Sequence, residues 1–198
     1  MPDAPTTIED GRRARRTRNR EAVVDALVDL LAEESGVPGA DEIAARAGVS
    51  VSSLFRYFDG LEDLKNQTVE RYFSRYAALF EIPRIAEGSR DERIDTFIGA
   101  RLRLYEAIAP IARLARARAF DQPAMAVPLA RARTTFVEQV RTHFAAELAS
   151  SRDAPSLVSL IDALTSFESW DLQHTAHGRT AAEVRSGWRY ALSRLLDD

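Results

Sequence analysis

The chain has 198 residues, of which 45% are hydrophobic and 29% charged, and its formal net charge is −3. This composition excludes a disordered chain, and the absence of cysteine excludes disulfide bonds, thiolate metal ligands and a cysteine nucleophile. No apolar run is long enough to span a membrane, and no secretion signal is recognisable, so we expect a cytoplasmic protein with no membrane partner.

The N-terminal segment concentrates positive charge. Residues 11–20 read GRRARRTRNR, with six arginines in ten positions, whereas residues 21–42 carry seven acids and no basic residue. Because such a polar segment can bury little surface, we predict a disordered basic arm over residues 1–18. A solvated charge run that only aids solubility is the alternative. The arginines that we expect to follow phosphates or to enter a minor groove are Arg12, Arg13, Arg15 and Arg16.

The remainder of the chain has helical periodicity, which predicts an all-α fold. Apolar residues recur three and four apart, and no alternating segment indicates a strand. We expect a first helix at about residues 19–35, two short helices at 41–47 and 51–57, and a longer one at 61–80. Further helices are expected at 91–109, 110–120, 124–149, 155–175 and 180–196, with proline or glycine between them. The predicted domains are residues 19–60 and 61–198.

The two short helices have the spacing of a helix-turn-helix. In ADEIAARAGVSVSSLFRYF, Ala44 is small where the second helix must cross closely, and Gly48 stands where the turn needs a positive φ. Ser50 is a suitable N-cap for the second helix. Residues 43–58 contain two arginines and no acid, as a surface that faces phosphate should. The alternative is a structural αα-hairpin within a helical bundle.

The stretch GVSVSSLFRYFDGLEDL resembles the DNA-binding region of the TetR family of bacterial transcription regulators. The likeness lies in the Gly-Val-Ser turn and in the aromatic pair Tyr57-Phe58, and it is specific over about residues 20–66. The resemblance implies an N-terminal three-helix helix-turn-helix domain, then a helical bundle for ligand binding and dimerisation. The residues that it assigns to DNA are Ser50, Ser52, Ser53, Arg56, Tyr57 and Lys65.

Three positions depart from the family pattern. Phe55 stands where the family often has tyrosine, Leu61 stands where a phosphate-contacting lysine is common, and Gly39 replaces the usual threonine cap. These departures leave the fold intact but weaken the expected grip on phosphate. An arginine arm would compensate for the lysine missing at Leu61.

The C-terminal helices carry apolar residues that suit a ligand cavity and a dimer surface. For each residue the alternative is ordinary core packing within the chain. The candidate pocket residues, which favour a largely apolar effector, are Ile98, Leu102, Tyr105, Phe120, Met125, Phe136, Val140, Phe144 and Phe167. The candidate homodimer residues are Leu157, Leu164, Trp170, Val184, Trp188, Leu192 and Leu195.

We therefore expect a regulator that binds a double-stranded DNA operator as a homodimer and is a repressor released by a small-molecule effector. A helical adaptor without sequence-specific DNA binding is the alternative. Three scattered histidines and no cysteine offer no catalytic constellation and no metal-ligand set, so we expect no enzymatic activity, no metal and no cofactor.

Overall fold

The computed structural model describes residues 7–33, 38–119 and 123–197. These residues form helices, turns and loops with no strand, which confirms the predicted all-α fold. The chain divides into two compact units, Met1–Arg75 and Tyr76–Asp198.

The first unit contains helices α1 (Thr7–Ala32), α2 (Ala40–Ala47), α3 (Val51–Tyr57) and α4 (Leu61–Tyr76). Apolar residues three and four apart on α1 pack against α2 and α3, as the periodicity predicts. One core therefore fixes the angle at which α3 is presented. Its buried members are Val23, Val24, Leu30, Ile43, Ala44, Leu54, Phe58 and Leu64.

The turn between α2 and α3 has the predicted geometry. Gly48 ends α2 in the left-handed region, with φ 68° and ψ 32°, and the Val49 amide donates to the Ala44 carbonyl at 3.0 Å. Ala44 is buried in the core, as a close helix crossing requires. Ser50 begins α3 as its N-cap, because its hydroxyl oxygen accepts from the Ser53 amide at 3.2 Å.

The predicted disordered arm over residues 1–18 is wrong for the part that the structure describes, because residues 7–18 are the first turns of α1. Arginine is a good helix former, and Asp10 lies in the opening turns, where a negative charge is favourable. Thr17 also satisfies the Arg13 carbonyl, at 3.1 Å. High polarity removes a reason to be buried, but it does not remove helix propensity. Residues 1–6 lie outside the described part.

The domain boundary also differs from the prediction of 60/61, since α4 belongs to the first unit. Leu64 is part of the core of that unit, and arginine–aspartate ion pairs, two of them made by Arg75, also join α4 to α1. Arg20 Nη2 lies 2.7 Å from Asp63 Oδ2, and Arg71 Nε lies 3.1 Å from Asp25 Oδ1. The predicted helix 61–80 ends at Tyr76, and the 3₁₀ turn Ala77–Phe80 opens the second unit.

The described residues of the second unit form six α-helices. They are α5 (Arg90–Ala119), α6 (Pro123–His143), α7 (Ala145–Ser150), α8 (Ala154–Leu164), α9 (Phe167–Asp171) and α10 (Ala181–Leu195), and a π-helical turn, Leu172–Ala176, follows α9. The break expected at Pro110 is absent, because Pro110 lies inside α5. Buried Ile108, Ala109 and Ala112 flank it, so packing on both sides offsets the lost backbone hydrogen bond. The single helix expected over 124–149 instead divides at Phe144.

Candidate nucleic-acid interface and ligand site

The outward face of α3 is a short polar surface with one cation. Ser52 and Arg56 are exposed, and Ser53 is half-buried. Arg56 Nη2 donates to Ser53 Oγ at 3.1 Å, and Ser53 Oγ also accepts from Ser50 Oγ at 2.9 Å. The N-cap of α3 is therefore linked through two hydroxyls to the guanidinium, which restricts the directions that this long side chain can take.

Phe55, which stands where the TetR family often has tyrosine, is a further candidate for contact with DNA. Its side chain is 59% exposed on α3, beside Arg56. An exposed phenyl ring on such a helix can contact the methyl group of thymine. The signal in the sequence is an aromatic residue at a position that does not belong to the apolar stripe of α3.

The side chain of Tyr57 lies partly in the core and partly at the surface. The ring packs against the core of the first unit, and the hydroxyl accepts a hydrogen bond from Asn19 Nδ2 at 2.9 Å. This bond from Asn19 lowers the pKa of the Tyr57 hydroxyl from its ordinary value.

Lys65, one of the predicted DNA-contacting residues, already has an anionic partner within the chain. It forms an ion pair with Glu62 at 2.7 Å, one turn earlier on α4. Within the described part of the first unit, six arginines have no ion-pair partner, whereas Arg20, Arg46, Arg71 and Arg75 are each paired with a carboxylate. The six are Arg12, Arg13, Arg15, Arg16, Arg18 and Arg56.

Five of these arginines lie on the first turns of α1, where all are exposed. Arg12, Arg16 and Arg20 are four residues apart and so share one side of the helix. Arg16 Nη2 donates to the carbonyl oxygen of Arg56 at 3.3 Å, so this side faces the end of α3. We call Arg12, Arg13, Arg15 and Arg16 the α1 arginine group. The side of α1 that carries Arg12 and Arg16 therefore lies next to the end of α3 that carries Arg56.

The predicted pocket residues that the structure describes are all buried in the second unit. Tyr105 lies among four aromatic rings and donates from its hydroxyl to the Thr165 carbonyl at 2.8 Å. Burial raises the pKa of this hydroxyl, so it is a neutral donor. Phe120 and the side chain of Met125 lie outside the described residues. The buried members are Ile98, Leu102, Tyr105, Phe136, Val140, Phe144 and Phe167.

Arg101 is a buried residue of this cluster that the sequence analysis missed. It is only 2% exposed and lies one turn before Tyr105 on α5. An arginine within the apolar spacing of Ile98, Leu102 and Tyr105 was the signal that could have found it.

Five of the seven predicted dimer residues are instead part of the core of the second unit. Leu157, Trp170, Val184, Trp188 and Leu192 are buried within the chain, so as interface contacts they are wrong. Leu164 and Leu195 are half-buried. A single apolar stripe identifies the face that a helix buries but not the chain that covers it. The outward faces of α8 and α10 instead carry Leu160, 53% exposed, and Tyr190, 70% exposed.

The described residues contain neither a cluster of metal ligands nor a membrane-spanning helix. In the described ranges, no group of three or more histidine and acidic side chains is placed to hold a metal ion. His143 is buried with both ring nitrogens satisfied, since Nδ1 accepts from the Ala86 amide at 3.1 Å and Nε2 donates to the Arg93 carbonyl at 2.9 Å. No described helix is both long and apolar enough to span a membrane.

Solved structures with the same fold are regulators. A proposed TetR-family transcriptional regulator from a Rhodococcus species matches at TM-score 0.66 and 18% identity, over 90% of this chain and 99% of that one. A proposed transcriptional regulator from Streptomyces coelicolor A3(2) matches at TM-score 0.59 and 23% identity, over 91% and 99%. A regulator of the TetR/AcrR family from Aquifex aeolicus VF5 matches at TM-score 0.57 and 18% identity, over 89% and 99%.

No protein-family model matches the sequence, and no curated protein matches it. At this level of identity the structural similarity shows the fold. The chain therefore has the all-α fold of TetR-type regulators over nearly its whole length.

Proposed function

We propose that this chain is a transcriptional regulator of the TetR family that binds double-stranded operator DNA through α3. The observation that carries the proposal is the helix-turn-helix geometry, with an acid-free outward face on α3 and Arg56 held by Ser53 at 3.1 Å. The fold shared with solved regulators supports it. In this role α3 is the recognition helix and lies in the major groove.

The chemistry of each exposed group suggests its contact. Arg56 can donate in bidentate fashion to the O6 and N7 atoms of a guanine, and the ring of Phe55 suits a thymine methyl group. Ser52 and Ser53 discriminate weakly because a hydroxyl both donates and accepts. Tyr57 and the α1 arginine group supply phosphate contacts, which position the protein without reading sequence.

A homodimer presents two recognition helices to a two-fold symmetric operator. The outward faces of α8 and α10 support this state, because Leu160 and Tyr190 leave large apolar side chains exposed there. These two helices also pack on one another, so their outward faces belong to one layer of the second unit. We place the contact between subunits on this layer.

As a repressor, the protein leaves its operator when a small molecule binds the second unit. An effector that converts a mostly bound population into a mostly released one must prefer the released conformer by about 5.5 kcal/mol. The buried aromatic residues around Tyr105 supply apolar surface for such a molecule. The protein acts in the cytoplasm in this role.

The proposal is tested by fluorescence anisotropy with a labelled duplex from the region upstream of the chain's own gene. Phosphate neutralisation releases counterions, so we expect affinity to fall about 10³-fold or more between roughly 50 and 200 mM salt if six or more phosphates are contacted. An unlabelled duplex of scrambled sequence is the matched competitor. Equal competition by both duplexes, or no binding at low salt, would contradict sequence-specific regulation and favour the helical adaptor.

A further inference from the structure

Arg101 is a buried cation without a buried anion. Its guanidinium lies 4.8 Å from the ring centroid of Phe97 and 4.3 Å from that of Phe136. Nη1 donates to Gln139 Oε1 at 2.6 Å, and Nη2 donates to the Phe136 carbonyl at 3.3 Å. No carboxylate of the described residues forms an ion pair with it.

Both acceptors of the guanidinium are neutral, an amide oxygen and a backbone carbonyl, so they do not balance its charge. Removing such a charge from water is costly, and the two aromatic contacts offset only part of that cost. Burial lowers the pKa of the Arg101 guanidinium from its ordinary value, and the field of Asp162, which forms no ion pair with Arg101, opposes only part of that effect. An oxyanion supplied from outside the chain would complete the site.

Gln139 connects Arg101 to the protein surface. Its Nε2 donates to the Phe80 carbonyl at 2.5 Å while its Oε1 accepts from Arg101. The same side chain borders an open groove of about 450 Å³. The other residues that line this groove are Ile85, Arg131, Thr134, Thr135, Glu138 and Thr142.

The open groove has room for a small organic molecule, and it is lined by one cation and one anion, Arg131 and Glu138. Its volume is within the range of small-molecule sites, about 300–1,000 Å³. Of its charged residues, Glu138 is paired with Arg141 at 3.6 Å, and Arg131 forms no ion pair with a described residue. Ile85 and the methyl groups of three threonines offer apolar surface to the body of a ligand, and a carboxylate on that body suits the cation behind Gln139.

We propose that the groove binds a small organic monocarboxylate with an apolar body, whose carboxylate replaces Gln139 Oε1 as the acceptor for Arg101. The inference rests on the proposed function, because it names the chemical class of the effector that binds the second unit. It changes the expected effector from largely apolar to anionic with an apolar body. None of the predicted pocket residues whose side chains the structure describes borders the groove.

The first test is calorimetry on the full chain with benzoate and with benzamide, its neutral counterpart. We expect saturable benzoate binding with a Kd below about 1 mM, and at least tenfold weaker binding of benzamide. Arg101→Met keeps an unbranched apolar side chain between the two rings and should lose benzoate at least tenfold. Arg103→Met, the same change on the exposed side of α5, should bind benzoate like the wild type.

A second variant supplies the carboxylate within the chain. Gln139→Glu places a carboxylate against Arg101, so the ligand-free Tm should rise by about 2–4 °C, and benzoate binding should be lost. Folded Arg101→Met that binds benzoate as tightly as the wild type would overturn the site, and so would the absence of benzoate binding to the wild type. Duplex binding measured without ligand tests the proposed function separately, so the two failures are distinguishable.

Discussion

Arg16, on α1, donates a hydrogen bond from Nη2 to the carbonyl oxygen of Arg56 near the end of α3, at 3.3 Å. The bond joins the first turns of the N-terminal helix to the proposed recognition helix. The α1 arginine group is therefore held in a fixed position relative to α3. A disordered arm would have no such position.

A helix-breaking substitution distinguishes a fixed arginine surface from a flexible arm. Ala14→Pro keeps every arginine but disrupts α1 at an exposed position, at a helix cost of about 3 kcal/mol. Because residues 10–13 are also exposed, unwinding this turn uncovers none of their surface from the core, so we expect little change in Tm but a roughly tenfold loss of duplex affinity. Ala14→Gln, which suits a helix, is the control in the same anisotropy assay. Wild-type affinity in Ala14→Pro would mean that a flexible arm suffices.

The turn between α2 and α3 makes a prediction about stability. A Cβ at Gly48 would meet no atom within 4 Å, so the cost of Gly48→Ala is the left-handed backbone alone, about 1–2 kcal/mol. Denaturant unfolding of the full chain measures this loss. Gly11→Ala on α1 also meets no atom within 4 Å but should gain helix propensity. Equal effects of the two substitutions would contradict the conformational explanation.

His143 predicts a loss of stability at mildly acidic pH. Burial lowers the pKa of its imidazole below the ordinary value of 6.5, so the folded chain resists a proton that the unfolded chain accepts. The free energy of unfolding should therefore fall as the pH drops through about 6.5. Thermal unfolding between about pH 7.5 and 5.5 measures the slope, which His143→Gln should flatten. An unchanged slope in that variant would assign the effect to another group.

The outward faces of α8 and α10 predict the oligomeric state. Tyr190→Glu and Leu160→Glu introduce charge on exposed apolar positions, so each should shift the protein from dimer to monomer without unfolding the chain. Light scattering after size-exclusion chromatography measures the mass. Leu172→Glu, at a residue 54% exposed on the π-helical turn, is the control and should stay dimeric. Dimers in all three variants would place the interface elsewhere.

The helix-turn-helix could be predicted because its requirements are steric and local. Ala44 had to be small and Gly48 had to adopt a positive φ, and both demands are visible in the sequence. The extension of α1 was missed because polarity was given more weight than the helix propensity of arginine. Helix α5 continues through Pro110 because other helices pack against it, and the periodicity of a single helix does not reveal such packing.

The site was only partly predictable, for a similar reason. Ser50, Ser53 and Arg56 could be identified from spacing along α3, but the bond from Arg16 joins residues 40 positions apart. The apolar stripe of α10 that includes Trp188 could be recognised in the sequence, but its burial within the same chain could not. Arg101 depends on what α6 places against it, and the sequence of α5 does not show that partner.

The central claim is that the outward face of α3 binds DNA, and Arg56→Ala tests it most directly. Arg71→Ala is the matched control, because it removes the same charge from the same unit at an arginine already paired with Asp25 at 3.1 Å. In anisotropy with the upstream duplex, we predict that Arg56→Ala loses about 1–3 kcal/mol of binding free energy and its preference over the scrambled duplex, while Arg71→Ala binds like the wild type. Equal affinity and unchanged preference in Arg56→Ala would contradict the claim.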